Sequence, residues 1–321
     1  MQLSAEDVSR YLPWDRLIDA LDKIFTSNAC APLRHHHNVP VPGTKDATML
    51  LMPAWLEGEF VGVKLVNVFP GNSELGLPGL SSNYTLSCGK TGRPLLQLDG
   101  NELTARRTAA ASALASRYLS RESSKVMLMM GAGRMARKLI PAHRSVRDID
   151  EIWIWNRNEA AAQKLVDELA ESGVEAHLCS QGKLEQVASR ADIISCATLA
   201  ETPIVSGQWL KPGAHLDLVG SFTPKMREAD NLTMQIGHIF VDTRYGALHE
   251  TGDLITPLKE NAITEMDILA EFADLCGGRH RGRKALDNPD EAITVFKSVG
   301  DSREDLAGAM LAYQSCTSQG V

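Results

Sequence analysis

Hydrophobic positions change their spacing twice along this chain, and each change marks a different kind of structure. Near the start, Ser4-Ala5-Glu6-Asp7 has the form of a capping box and Pro13 suits a first helical turn. Leu17, Leu21, Ile24 and Phe25 then fall on one helical face. From about 48 to 99 the apolar residues come in strand-like runs: Met49 to Met52, Phe60 to Phe69, Asn83 to Cys88, and Leu95 to Leu98 after the Gly89-Lys90-Thr91-Gly92 turn. An alanine-rich stretch, 102–119, predicts a helix leading into a third texture. There, strands are expected at 126–130, 151–155, 174–179, 192–197, 214–219 and 238–242, separated by helices such as 158–171 and 183–189. That alternation predicts an α/β chain: a Rossmann doubly wound parallel sheet preceded by a strand-rich α+β domain. A tail from about 296 carries one more amphipathic helix, with Leu306, Met310, Leu311 and Tyr313, and is expected to return to the first domain. The predicted division is 1–118 with 296–321, and 119–295. Two domains also suit 321 residues, since a single core usually stops growing at ~250–300.

The strongest local signal is Gly131-Ala132-Gly133-Arg134-Met135-Ala136. It follows the apolar run Val126 to Met130, opens a helical segment and precedes a second strand, Ile152 to Trp155. In that setting the first two glycines allow a tight turn and close approach of a pyrophosphate to a helix N-terminus, and the small Ala136 lets helix and strand pack. Where an NAD enzyme places an acid on the ribose hydroxyls, this chain has Asn156-Arg157-Asn158. An arginine there can fork onto a 2'-phosphate, which predicts NADPH with NADH as the weaker alternative; a solvated surface arginine is the other reading.

Composition excludes several classes. A net charge of −7 with no basic run argues against nucleic acid, and no apolar stretch approaches the ~18 residues of a membrane span. The N-terminus lacks a signal-peptide layout, and Glu6, Asp7 and Asp15 argue against a transit peptide. Six scattered cysteines without a CxxC pair read as reduced packing residues of a cytoplasmic protein.

Three cationic positions stand out. Strand alternation sets Lys64 on a face with Val66 and Val68, so its ammonium either snorkels outward or meets an anionic partner in a polar pocket. Arg106 and Arg107 lie early in the alanine-rich helix, where the dipole disfavours cations; either one reaches a bound carboxylate or both are solvated beside Glu102. Arg34 precedes His35-His36-His37, of which only His35 and His37 could share a ligand, and no Cys or acidic cluster nearby completes a metal site. No GxSxG nucleophile motif occurs.

Together these segments resemble the ornithine cyclodeaminase/mu-crystallin family. The likeness is carried by Pro32-Leu33-Arg34, Leu51-Met52-Pro53-Ala54, Gly62 to Asn67, Thr104 to Ala110, Gly131 to Ala136, Trp155-Asn156-Arg157, Lys211 to His215 and Val295 to Gly300. It covers nearly the whole chain. The resemblance implies a homodimer with a substrate-binding and dimerisation domain beside a Rossmann domain. Arg34 and Arg107 would hold the substrate carboxylate, with Lys64 at the reacting centre. Thr108, Gly131, Ala132, Gly133, Arg134, Met135, Asn156, Arg157, Thr198, Leu199, Ser298, Val299 and Gly300 would bind the cofactor.

Departures from the cyclodeaminase pattern narrow the activity. The position of that pattern's catalytic Asp is Phe222, its Glu before Leu-Met-Pro is Leu50, and its threonine after Gly-Leu-Pro is Gly79. Leu51 to Trp55 and Gly220 to Pro224 are similar to bacterial 1-pyrroline-2-carboxylate reductases. The expectation is therefore NADPH-dependent reduction of cyclic imino acids: 1-pyrroline-2-carboxylate to L-proline and 1-piperideine-2-carboxylate to L-pipecolate. Asp301 and Asp305 are candidate supporting carboxylates. Ornithine cyclodeamination, alanine dehydrogenation and a crystallin-like ligand-binding role are the alternatives.

Overall fold

A computed structural model describes residues 1–318. The chain divides into two compact units, Met1–Thr108 with the chain from Asp301 onward, and Ala109–Gly300.

The first unit is built on six strands: β1 (Gln2–Leu3), β2 (His35–Val39), β3 (Ala47–Leu56), β4 (Phe60–Val68), β5 (Leu80–Cys88) and β6 (Pro94–Asp99), in the order β1-β6-β5-β4-β3-β2. All pairs are antiparallel except β1 with β6. Period-two alternation decides the faces. Met52, Ala54, Lys64, Val66, Tyr84, Leu86, Leu96 and Leu98 are buried, and the C-terminal helix Ser302–Ser318 packs against β3 to β6. Helix Trp14–Ile24 packs on that helix through its buried face Leu17, Ile18, Leu21 and Ile24. On the opposite face of the sheet, Val61 and Val63 are 43% and 36% exposed.

The second unit is an all-parallel sheet of eight strands, β7 (Val126–Met130), β8 (Glu151–Trp155), β9 (His177–Leu178), β10 (Ile193–Cys196), β11 (His215–Leu218), β12 (His238–Val241), β13 (Ile268–Glu271) and β14 (Thr294–Lys297). Their order is β13-β12-β14-β11-β10-β7-β8-β9. Leu128, Ile194, Leu216, Val241 and Val295 are among its fully covered residues, as expected where both faces carry helices and connections.

The expected doubly wound sheet is present, but with eight strands instead of six. β13 and β14 have no counterpart in the sequence reading. β14 lies between β12 and β11, so residues 296–300, expected in the first domain, belong to the second unit. The other division falls after Thr108, inside helix Gly100–Leu119, and not at 118. The cause is visible in the later turns, where Ser112 Oγ donates to Asp217 of β11 at 2.9 Å. Residues 319–321 of the predicted tail lie outside the described residues.

Candidate active site

In the first unit, β4 and the C-terminal helix bring a lysine and a carboxylate together across most of the chain. Lys64 is 2% exposed, and its Nζ donates to Asp305 Oδ2 at 2.6 Å. The register sets Lys64 between Met52 and Tyr84 on the covered face, so it cannot snorkel; the pocket with an anionic partner is what forms. Arg107 approaches from helix Gly100–Leu119. Its Nε donates to Asp305 Oδ1 at 3.0 Å and its Nη1 to Glu304 Oε2 at 2.7 Å. One carboxylate thus bridges two buried cations. Arg34, half-buried just before β2, is near enough for its charge to act on Lys64. Of the four cations singled out in the sequence, Lys64 and Arg107 therefore meet at Asp305, and Arg34 lies near enough to act on Lys64.

The electrostatics follow from burial and counter-charge. Burial lowers the Lys64 pKa to about 8; Asp305 opposes that shift, while Arg107 and Arg34 add to it. Burial also opposes charge on Arg107, but Asp305 and Glu304 outweigh it and raise its pKa above the ordinary value. Asp305 is held below the usual carboxylate range, because Arg107 and Lys64 outweigh its desolvation. Lys64 is thus the member of the cluster whose proton is easiest to remove near neutral pH.

Arg106 is spent elsewhere. Its Nε and Nη2 donate to Leu12 O at 2.9 and 2.6 Å, and its guanidinium lies 4.1 Å from the Trp14 ring centroid. The alternative of two solvated arginines beside Glu102 is therefore not what the structure has; both are buried. Asp301 accepts from the Arg303 guanidinium at 2.8 and 3.0 Å. His35, His36 and His37 form exposed β2, with His35 and His37 opposite Leu51 and Met49. No group of three or more potential metal-ligating side chains occurs among the described residues. A groove of about 350 Å³ between helix Trp14–Ile24 and the C-terminal helix contains none of the predicted site residues.

In the second unit, a crevice of about 310 Å³ opens at the carboxyl ends of β7, β8 and β10. It is lined by Gly131, Ala132, Gly133, Asn156, Arg157, Thr198 and Leu199, all named in the sequence reading, and also by Trp155, Asn158, Ala197, Ala200 and Ile204. Gly131 has φ +115°, and a Cβ there would stand 2.7 Å from Ala197 O, so only glycine fits the turn. At Gly133 nothing lies within 4 Å of the place a Cβ would take, which leaves the backbone open to a pyrophosphate. Arg137, gripped by Glu168, ties down the Ala132 and Gly133 carbonyls at 2.8 and 2.9 Å. The residues present fit a dinucleotide.

Arg134 and Met135 continue this turn into helix Ala136–Arg144 without lining the crevice. Arg157 is exposed and has no ion-pair partner among the described residues. Ser298 N donates to Leu218 O, and the Val299 and Gly300 N–H groups both donate to Asp242 Oδ2, at 2.7 and 2.6 Å. Those two amides are therefore committed inside the protein. Thr108 is half-buried on helix Gly100–Leu119 in the first unit.

Sheet, turn and crevice are those of a Rossmann dinucleotide-binding protein. The chain belongs to the ornithine cyclodeaminase/mu-crystallin family, whose profile matches residues 1–320. It is 51% identical to an uncharacterised protein of Schizosaccharomyces pombe, over 97% of this chain and 96% of the relative. It is 35% identical to a Delta(1)-pyrroline-2-carboxylate reductase of Colwellia psychrerythraea, over 96% of each. Among solved structures, the Thermococcus litoralis Delta(1)-pyrroline-2-carboxylate reductase, in complex with NADH and L-proline, superposes with a TM-score of 0.89. It shares 34% identity and is matched over 100% of this chain and 98% of its own.

Proposed function

We propose that this protein is an NADPH-dependent reductase of cyclic imino acids, converting 1-pyrroline-2-carboxylate to L-proline and 1-piperideine-2-carboxylate to L-pipecolate. The observation that carries the reading is the buried cluster of Lys64, Arg107, Asp305 and Glu304 in one unit, in a chain whose other unit holds a dinucleotide crevice. The names of the reductase relatives support the same reading.

In this reading Arg34 and Arg107 hold the substrate carboxylate, a pairing for which guanidinium geometry is suited. Lys64, kept cationic by Asp305, helps to position the substrate carboxylate and tunes the protonation of the imine, directly or through a water. A dihydronicotinamide held by the crevice residues would supply the hydride for the imine carbon, which with the proton on nitrogen makes C=N into CH–NH. Exposed Arg157, with no acid in the ribose position, supports NADPH over NADH. Phe222, 53% exposed where cyclodeaminases place their Asp, and Leu50 in place of their Glu support reduction over cyclodeamination.

The assembly we infer is a homodimer. It is supported by the apolar outer face of the six-stranded sheet, where Val61 and Val63 lie exposed on the face that also carries Leu51, Pro53, Trp55 and Leu65. Six scattered cysteines without a CxxC pair suit a cytoplasmic location, and no helix among the described residues is long and apolar enough to cross a membrane.

A substrate panel followed by nicotinamide absorbance tests the activity. NADPH oxidation with 1-pyrroline-2-carboxylate is the expected result. Oxidation only with pyruvate plus ammonia would identify an alanine dehydrogenase. Ammonia released from ornithine without net oxidation would identify a cyclodeaminase, and tight dinucleotide binding with no turnover a crystallin-like binding protein.

A further inference from the structure

Glu228 is fully buried in the second unit and has no part in the chemistry just described. Its Oε1 accepts from Thr198 N at 2.8 Å and from Thr198 Oγ1 at 2.7 Å, and its Oε2 accepts from Gly220 N at 2.8 Å. Its backbone carbonyl accepts from the N–H groups of Ile204 and Val205 at 2.9 and 3.0 Å. Thr198 and Ile204 both line the dinucleotide crevice. Gly220 follows β11 so closely that a Cβ there would stand 2.1 Å from Thr198 O and 2.3 Å from Glu228 Oε1. One side chain therefore ties together the segments leaving β10 and β11, at the rim where Rossmann sheets receive their ligand.

The charged surroundings of Glu228 are equally particular. Lys297 on β14 is fully buried, donates to Leu218 O at 3.0 Å and pairs with Asp253 Oδ2 at 3.3 Å. Asp253 Oδ1 accepts from Glu228 N at 2.7 Å, and Cys196 of β10 also senses the Glu228 charge. A buried carboxylate serving three donors is an expensive way to brace a loop, since a neutral acceptor would avoid the desolvation.

We propose that Glu228 is a positioning residue for the dinucleotide, its ionised carboxylate holding the Thr198 segment and the Gly220 turn in the shape that the cofactor requires. This rests on the reading of the crevice as a dinucleotide site, but not on which imine is reduced.

Burial raises the Glu228 pKa to about 7, with Lys297 opposing that shift and Asp253 adding to it. A proton on either oxygen removes acceptor capacity from one of the three bonds. The test measures NADH binding by fluorescence, because NADH lacks the 2'-phosphate, a group that itself titrates near pH 6. The dissociation constant of the wild type should rise about tenfold from about pH 8 to about pH 6, as the protonated form loses affinity. Glu228→Gln keeps the size but has one acceptor oxygen, so it should bind about tenfold more weakly at about pH 8 and show a flat profile. In the protein without cofactor, amide hydrogen exchange at Thr198 and Gly220 should be faster in the variant. Wild-type affinity and an unchanged pH profile in Glu228→Gln would overturn the inference while leaving the functional reading intact. A wild type that binds neither NADH nor NADPH would overturn both. If the variant does not fold, the wild-type pH series decides: a flat profile sinks the inference.

Discussion

Replacing Arg157 should separate the two nicotinamide cofactors, because its exposed guanidinium has no ion-pair partner among the described residues. Its neighbours are committed: Asn156 Nδ2 donates to Asn158 O at 3.0 Å, and the Asn158 side chain caps helix Glu159–Glu171 through Ala160 N. Arg157 itself lines the crevice, exposed, with no ion-pair partner among the described residues. A hydrogen bond to a charged group contributes ~1.5–3 kcal/mol, and exposure argues for the low end because water screens the pair. That corresponds to about tenfold in affinity. Arg157→Ala should therefore weaken NADPH about tenfold and leave NADH unchanged, and the difference should shrink at high salt. Arg157→Asp should go further, repelling the 2'-phosphate while offering a carboxylate to the ribose hydroxyls, so that NADH becomes preferred. Titration of both cofactors against the three proteins, followed by nicotinamide fluorescence, gives all the constants. The reasoning is refuted by a wild type that prefers NADH, or by an alanine variant that loses both cofactors equally.

The first unit allows a complementary set of tests. Lys64→Met keeps the side-chain volume and removes the charge; it should cut imine turnover by at least ~100-fold with little change in NADPH affinity, and equal losses in both would exclude a role at the substrate. The Lys64 ammonium, with its pKa lowered to about 8, is intact below that pH and lost above it. The kcat/KM for the imine should accordingly fall on the alkaline side of about 8, and Lys64→Met should lack that limb; a limb common to both proteins would belong to another group. Gly131→Ala and Gly133→Ala should part company. The first forces a Cβ onto φ +115° and to within 2.7 Å of Ala197 O, and should lower thermal stability as well as dinucleotide binding. The second meets no atom within 4 Å and should weaken binding alone, which melting curves with and without cofactor would reveal.

What the sequence made legible was what consecutive residues determine. The passage from β7 through Gly131 and Gly133 into helix Ala136–Arg144 is written in one uninterrupted stretch, and so is the alternation that sets Lys64 with Val66 in β4. What it left open depended on partners far along the chain. Whether Lys64 snorkels or is buried turns on Asp305, 241 residues away, and the same carboxylate decides what Arg107 does.

β14 was missed for a related reason. Its four residues include a fully buried Lys297, which reads as a surface position until Leu218 O and Asp253 stand beside it. Glu228 is the extreme case. Nothing in Met226-Arg227-Glu228-Ala229 distinguishes that acid from a solvated one, since its three side-chain bonds run to Thr198, thirty residues back, and to Gly220. Both charges are tolerated only because each lies near the other in a packed interior, where an isolated one would be neutralised or expelled. Charge that is costly to bury and yet buried marks the positions where this fold is least free to vary. By that argument Lys64 with Asp305, and Lys297 with Glu228 and Asp253, are the two places where a single neutralising substitution should be felt most at the sites themselves.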